Sequence, residues 1–214
     1  MKKNLLWASL AALSLFIVPG CSKDDTDAPV ITLLGDNPTE LDIFEAYNEA
    51  GYTAEDSEDG DVTANVQVDN SEINANYPIS IYYTVTDEAG NVGSETRTVT
   101  SVPRTYNVVD TCGSGASAVV YTYPQTVTMV NSSTIRFNKF ADYSGNSNIT
   151  ATFTATGTIT LPNQSALDIG SASEDHEFQG TGLYTGNAFA IQYTDKNNSS
   201  VPVATTTCRA YFIP

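Results

Sequence analysis

Residues 77–91 have the sequence YPISIYYTVTDEAGN, in which apolar and polar side chains alternate from Ile79 to Thr86. Positions 79, 81, 83 and 85 share one face, because successive side chains of a strand point to opposite sides of a sheet. This period predicts a half-buried antiparallel strand. Gly90 and Asn91 favour a turn, and a second strand follows from Ser94 to Val102. The pair therefore predicts a β-hairpin.

Shorter apolar runs before this hairpin predict three further strands, at Val30–Leu34, Leu41–Ile43 and Val66–Val68. Short strands at regular spacing are typical of a β-sandwich. The sequence thus predicts a sandwich for this half of the chain.

The C-terminal half also alternates with period two and shows no convincing helical period. Its alternating segments are Ile135 with Phe137, then Ile149, Ala151, Phe153 and Ala155, then Thr158–Leu161, then Phe189, Ile191 and Tyr193. The order of strand, turn and strand predicts an antiparallel meander that closes into a small barrel or packs as a sandwich, since closure removes unpaired edges. We expect the whole chain to be all-β, with an immunoglobulin-like sandwich followed by this second antiparallel domain.

Charge divides the chain into two parts. The 214 residues carry a net charge of −16, which argues against nucleic-acid binding and against electrostatic docking to anionic lipid. Residues 24–102 hold 18 acidic residues and one basic residue, Arg97, whereas residues 103–214 hold 7 acidic and 5 basic residues. Such asymmetry predicts two separately built units joined at Pro103. We expect domains at residues 28–102 and 103–214.

The N-terminus has the features of a secretory signal. Lys2 and Lys3 precede an apolar stretch from Leu5 to Val18, too short for a stable membrane span. Residues 18–21, Val-Pro-Gly-Cys, resemble the lipobox of bacterial lipoproteins. The resemblance implies that residues 1–20 are removed, that Cys21 is acylated and that residues 21–27 are an acidic tether. An incidental cysteine after a plain secretory signal is the alternative.

The acidic residues after Cys21 are similar to the export signal of outer-membrane lipoproteins in Gram-negative gut anaerobes. That similarity implies a lipid-anchored protein of the outer membrane that faces the cell exterior. Acylated Cys21 would then make outer-membrane lipid the first partner of the protein.

Three ordered motifs carry a second resemblance. They are GYTA at 51–54, EDGDVT at 58–63 and YTVTDEAGN at 83–91. Together they resemble the immunoglobulin-like domain of bacterial surface proteins over residues 28–102, which implies a sandwich that serves as a spacer. The C-terminal half resembles domains, some of them calycin-like barrels, that follow such modules in gut-bacterial surface lipoproteins.

Cys112 and Cys208 are the cysteines that remain if Cys21 is acylated. They lie near the first and last predicted strands of the second domain, in a chain addressed to a compartment that permits disulfides. We therefore predict a Cys112–Cys208 disulfide. Two buried thiols and a metal-binding pair are the alternatives.

The acidic run at residues 55–61 indicates a candidate calcium site, and calcium is the one candidate cofactor. Its candidate ligands are Asp56, Asp59 and Asp61, because hard cations bind clustered carboxylate oxygens. An EF-hand loop is excluded, since the twelfth position would be Val66 instead of an acid. A solvated acidic turn is the alternative, in which Gly60 supplies the left-handed conformation.

No catalytic signature stands out. His176 is the single histidine, so a zinc enzyme would lack its usual ligands, and no G-x-S-x-G elbow is present. Two carboxylates would suffice for a glycosidase, but most of the acidic residues lie in the spacer-like half. We therefore predict a protein that is not an enzyme, with no catalytic residue assigned.

Carbohydrate is the ligand class that the resemblance to accessory lipoproteins of glycan-uptake systems implies, with glycan-uptake proteins as further partners. Aromatic rings bind sugar faces, and Tyr143 and Tyr184 lie beside turn residues, which makes them the candidate ligand-binding residues. Ordinary packing at strand ends is the alternative for both tyrosines. A structural or adhesive surface protein without a small ligand, and a glycoside-processing enzyme, are the other functions considered.

Overall fold

The structure, a computed structural model, describes residues 25–143, 148–170 and 173–214. Seven strands form the N-terminal part: β1 Val30–Leu33, β2 Thr39–Leu41, β3 Tyr52–Asp56, β4 Gly60–Asp61, β5 Gln67–Asp69, β6 Ile79–Thr86 and β7 Val92–Ser101. Eight follow: β8 Arg104–Cys112, β9 Val119–Asn131, β10 Thr134–Phe137, β11 Ile149–Phe153, β12 Thr158–Ile169, β13 Glu174–Thr185, β14 Ala188–Asn197 and β15 Ala204–Ile213. Three short 3-10 helices lie at Thr63–Asn65, Gly115–Ser117 and Phe140–Asp142. The predicted all-β class is confirmed.

The N-terminal strands form a sandwich of two sheets, ordered β1-β3-β4 and β2-β7-β6-β5, in which β2 pairs with β7 in parallel. The predicted hairpin is confirmed: β6 pairs with β7 antiparallel. All four side chains of its predicted inner face are buried, and Tyr83 is fully enclosed. Alternation therefore identified the core face correctly. Several predicted boundaries differ from the observed ones by one or two residues. The clearest differences are that β2 ends at Leu41, before Ile43, and that Ala155 lies in the turn after β11.

Arg97, the single basic residue of the acidic half, is completely buried in the sandwich. Its guanidinium donates to the backbone carbonyls of Asp36 at 2.9 Å and Leu34 at 2.8 Å, and it pairs with Glu49 at 3.1 Å. A buried charge is tolerated only when its donors are satisfied. Arg97 thereby fastens the chain between β1 and β3 to β7.

The C-terminal strands form a closed eight-stranded barrel in which each strand pairs antiparallel with its neighbour in sequence and β15 closes on β8. The meander predicted from the alternation is confirmed, with the barrel as its form. Cys208 is directly opposite Cys112 across the closing pair, and the two form the predicted disulfide. The bridge therefore joins the first and last strands of the barrel.

Only Val102 and Pro103 separate the last strand of the sandwich from the first strand of the barrel. The contact between the two parts is aromatic at its centre. Phe44, in the loop after β2, has a left-handed backbone with φ of 67° and stacks on Tyr184 of β13. Its ring also meets the edges of Phe153 and Phe189 at centroid distances of 5.2 and 5.3 Å. One end of the barrel is thus closed by a residue of the sandwich.

A polar contact surrounds this aromatic one. Arg104 at the start of β8 forms a two-point ion pair with Asp42, whose carboxylate also accepts a hydrogen bond from Asn187 at 3.0 Å. Burial would raise the pKa of Asp42, but the hydrogen bonds and the charge of Arg104 outweigh it and lower the pKa. Asp42 therefore links the sandwich to two places in the barrel, the start of β8 at Arg104 and the turn between β13 and β14 at Asn187.

Candidate ligand-binding site

The end of the barrel opposite Phe44, which we call the mouth, contains a cavity of about 740 Å³. Strand β8 runs from the junction at Arg104 to the mouth at Cys112, so the two ends are a full strand apart. Four acidic residues and three tyrosines contribute to the cavity wall: Asp110, Asp142, Glu174, Asp195, Tyr121, Tyr143 and Tyr193. The volume lies within the range of sites that enclose a small molecule.

Alternation along the strands explains why polar side chains meet here. In β8, Tyr106, Val108 and Asp110 point inward in succession, and in β14 Tyr193 and Asp195 do the same. Aromatic residues fill the barrel towards the junction, where Phe189 stacks on Phe212 with centroids 4.1 Å apart. An eight-stranded barrel is just wide enough to be filled by such side chains. The interior therefore changes from an aromatic base to a polar mouth.

Asp110 lies at the boundary between these zones and is only 2% exposed. Its Oδ2 accepts hydrogen bonds from the hydroxyls of Tyr123, at 3.1 Å, and Tyr193. Burial raises the pKa of Asp110, and the two hydrogen bonds offset this only in part. Burial is the larger cause of the raised pKa of both tyrosines, and the Asp110 carboxylate raises the pKa of each further. The two hydrogen bonds therefore fix the positions of the Asp110 carboxylate and of the two tyrosine hydroxyls.

A second cluster at the mouth is centred on Asp195. Its Oδ1 lies 2.5 Å from Nδ1 of His176, and its Oδ2 accepts a hydrogen bond from the hydroxyl of Tyr143 at 2.7 Å. His176 is 3% exposed, and its Nε2 lies 3.5 Å from Glu174. The ring of Tyr143 packs on the imidazole with centroids 4.4 Å apart. These contacts fix the position of the carboxylate and of both rings.

The mouth is rich in hydrogen-bond acceptors and poor in cations. No Lys or Arg lines the cavity among the residues that the structure describes, although Lys139 pairs with Asp142 at 3.6 Å beside it. Tyr121 is half exposed at the rim and presents a ring. Carboxylates with a neighbouring aromatic face suit a ligand that carries many hydroxyl groups. They disfavour an anion.

Two clusters at the mouth contain groups of the kinds that metal sites and nucleophilic catalysis use. A ligand atom of Asp110 lies within 4.8 Å of those of Cys112 and Cys208, but the two sulfurs are bonded to each other and are not thiolate ligands. Among the described residues, the contacts of the His176 imidazole are with Asp195, Glu174 and aromatic rings, and no hydrogen bond to a serine is found there.

The two tyrosines proposed as ligand-binding residues lie at opposite ends of the barrel. Tyr143 lines the mouth. Tyr184 lies at the junction, where Phe44 covers one face of its ring and its hydroxyl donates to the carbonyl of Thr154 at 2.9 Å. Sequence reasoning missed Asp110 and Asp195, although each is in phase with inward-facing apolar residues of its own strand.

The three acids proposed as calcium ligands are not together. Asp56 lies beside Asp25 and Asp87. Asp59 accepts a hydrogen bond from the backbone of Glu88 at 2.7 Å, and Asp61 is exposed and accepts one from the backbone of Thr63 at 2.9 Å.

The predicted signal peptide, residues 1–20, and Cys21 lie outside the described residues. Within the described ranges, no helix has the length and apolar composition needed to span a membrane.

Comparison with known proteins supports the N-terminal assignment. Residues 31–101 match the family model described as "Bacterial surface protein, Ig-like domain". Comparison with curated proteins finds no match.

Two solved structures are similar over 86% of this chain. One is the lipoprotein BT2262 from Bacteroides thetaiotaomicron, with 16% identity, 99% of that chain covered and a TM-score of 0.35. The other contains CBM51-2, in complex with GlcNAc, and INT domains from Clostridium perfringens ZmpB, with 14% identity, 44% of that chain covered and a TM-score of 0.29. Similarity at this level identifies neither a ligand nor an activity. The family match identifies residues 31–101 as an Ig-like domain of bacterial surface proteins, and in this chain an eight-stranded antiparallel barrel follows it.

Proposed function

We propose that this protein is a lipid-anchored surface protein that binds carbohydrate, without catalysis, in the mouth of its barrel. The observation that carries the proposal is the cavity of about 740 Å³, which combines the half-exposed ring of Tyr121 with fixed carboxylate acceptors. Pyranose C–H groups pack on aromatic faces, and sugar hydroxyls donate to carboxylates. A role beside glycan-uptake proteins at the outer membrane accords with this binding function.

The charge of the mouth selects among sugars. Asp110, Asp142, Glu174 and Asp195 all face the cavity. Because like charges repel strongly in a partly enclosed site, acidic sugars and sulfated glycans should be excluded. Neutral glycans, and sugars that carry an amino group, are the expected class.

The position of Asp25, the first residue that the structure describes, supports a spacer role for the Ig-like domain. Asp25 lies beside Asn91, whose side chain donates to its carbonyl at 3.3 Å. Asn91 precedes β7, and the other end of β7 leads into the barrel. Ten residues of strand span roughly 33 Å. An anchor at Cys21 would therefore hold the Ig-like domain near the membrane and direct the mouth away from it.

The proposal is tested by screening the purified protein on an array of neutral, amino and acidic glycans, followed by calorimetry with the neutral or amino glycans that bind. Tyr121→Ala should weaken that binding by about tenfold, equivalent to about 1.4 kcal/mol. Tyr82→Ala is the matched control, because this tyrosine is 44% exposed on the Ig-like domain. Absence of neutral or amino-glycan binding, or equal affinity in Tyr121→Ala, would refute the site.

A structural or adhesive role without a small ligand is the second candidate. It is favoured by the aromatic junction at Phe44 and the two-residue connection, which together suit a rigid extended module. Binding of the protein to host or bacterial surfaces in the absence of any glycan-array signal would support it.

A glycoside-processing enzyme is the third candidate, since the pKa of buried Asp110 is raised, as a general acid requires. Release of reducing sugar from a bound glycan, lost in Asp110→Asn, would establish it in place of simple binding.

Anchoring is tested separately. Cys21→Ala should abolish acylation and release the protein from the outer-membrane fraction. Retention of the variant in that fraction at high salt would contradict a lipid anchor.

A further inference from the structure

Three carboxylates meet at the end of the Ig-like domain that is remote from the barrel. They belong to Asp25 in the N-terminal segment, Asp56 at the end of β3 and Asp87 at the turn after β6, and one ligand atom from each lies within 4.8 Å of the others. Asp56 and Asp87 are each only 8% exposed. Three like charges at this distance repel one another unless a cation or protons compensate for them.

The buried carboxylate of Asp56 provides an independent observation. Its Oδ1 accepts hydrogen bonds from the backbone N–H groups of Glu58 at 2.9 Å and Asp59 at 3.0 Å. Its Oδ2 is buried and has no hydrogen-bond partner among the residues that the structure describes. A buried acceptor without a partner costs free energy, and such groups usually have a partner. Oδ2 is thus the oxygen of Asp56 that is left for a cation.

Asp87 is held in place beside it. Its Oδ1 accepts from the backbone of Asn91 at 2.7 Å, and its Oδ2 accepts from the side chain of Asn91 at 2.8 Å. The same Asn91 amide reaches the carbonyl of Asp25. The three acidic residues are therefore positioned by the backbone and by Asn91 without a Lys or Arg hydrogen-bonded to them in the described chain.

We propose that Asp25, Asp56 and Asp87 form a calcium-binding site. All the ligands are carboxylate oxygens, which hard cations prefer, whereas zinc favours histidine and thiolate. Oxygens on opposite sides of Ca²⁺, at about 2.4 Å from the ion, are separated by about 4.8 Å, so the cluster can surround one ion. Mg²⁺ requires shorter distances of about 2.0–2.1 Å and retains its waters.

The position of the site gives the ion a mechanical role. Asp25 lies in the segment that precedes β1, whereas Asp56 and Asp87 lie at two turns of the sandwich. A shared ion would tie the N-terminal segment to both turns. Calcium would then fix the Ig-like domain to the tether that leads to Cys21.

The direct test is calorimetric titration of the purified full-length protein, freed of metal with EDTA, with CaCl₂. We expect one ion per chain and a rise of about 5 °C or more in the melting temperature of the Ig-like domain at saturating calcium, by mass action. MgCl₂ should have a smaller effect, and NaCl at matched ionic strength should have none. No heat of binding together with an unchanged melting temperature would overturn the proposal.

Variants locate the ion. Asp25→Asn removes a ligand from the N-terminal segment and leaves the sandwich core untouched, so it should fold and lose calcium affinity by at least tenfold. Asp56→Asn should lose it as well. Asp69→Asn is the control, since this exposed acid accepts a hydrogen bond from the backbone of Ser71 in another turn. Equal calcium affinity in Asp25→Asn and the unaltered protein would overturn the assignment.

Discussion

The ring of Phe44 stacks on the ring of Tyr184 with centroids 4.1 Å apart and planes inclined by 9°, although 140 residues separate them along the chain. Phe44 belongs to the Ig-like part, and Tyr184 to the barrel. The backbone N–H of Phe44 also donates to Sδ of Met129 in β9, at 3.2 Å. The barrel therefore depends on the preceding domain to cover its aromatic end.

Replacing Phe44 tests this dependence. Phe44→Ala should lower the free energy of unfolding by about 2–3 kcal/mol, less than for a fully buried phenylalanine because the ring is only partly buried. In the Phe44→Ala variant, we expect the sandwich and the barrel to unfold in separate transitions, which calorimetry can detect. Phe44→Gly, which relieves the left-handed backbone, should recover part of the loss. A single unchanged transition in both variants would contradict a structural role for the ring.

The disulfide should stabilise the barrel chiefly by restricting its unfolded chain. The closed loop spans 96 residues between Cys112 and Cys208. Replacing both cysteines by serine should lower the free energy of unfolding by about 2–4 kcal/mol in urea titrations. Dithiothreitol should produce the same change in the unaltered protein and no change in the double variant. Equal stability with and without the bridge would contradict this account.

Arg97→Met should destabilise the Ig-like domain. The substitution removes donors from backbone carbonyls and leaves Glu49 without its cation, at a cost of about 3 kcal/mol, the low end for a broken buried pair because Glu49 is partly exposed. Arg209→Met is the matched control, since that side chain is exposed over Tyr211. Denaturant titration of both variants measures the difference. Comparable losses of unfolding free energy in Arg97→Met and Arg209→Met would contradict a special role for Arg97.

The pH dependence of stability should reveal Asp110. Its pKa is raised in the folded state by burial, so folding favours its protonated form. The contribution of Asp110 to the free energy of unfolding is therefore most favourable below the ordinary aspartate pKa of about 3.9. This contribution is lost as the pH rises through the higher pKa that Asp110 has in the folded state. Relative to Asp110→Asn, the unaltered protein should lose stability as the pH rises above about 4.

Urea titrations of both proteins at several pH values provide the measurement. Asn can still accept the hydrogen bonds from Tyr123 and Tyr193, so the variant should fold. Parallel pH profiles for the two proteins would contradict a raised pKa. The lowered pKa values of Asp42 and Glu49 act in both proteins and cancel in the comparison.

Much of the fold was accessible from the sequence because strand alternation is a local property. Ile79, Ile81 and Val85 identify a buried face without knowledge of the partner strand. The pairing of Cys112 with Cys208 was predicted from their places near the first and last strands of a closed meander. The charge difference between the halves predicted two units, but it gave no indication of a contact through Phe44, an apolar residue in a loop.

The candidate sites depend on contacts that only the tertiary structure brings together. Asp56 lies 31 residues after Asp25, and Asp87 lies 31 residues after Asp56. Their meeting requires the N-terminal segment and two turns to converge at one end of the sandwich. Asp110 and Asp195 each follow the inward period of their own strand, which the sequence shows. That both face one cavity with Tyr121 is decided by barrel closure, because register and closure depend on all eight strands at once.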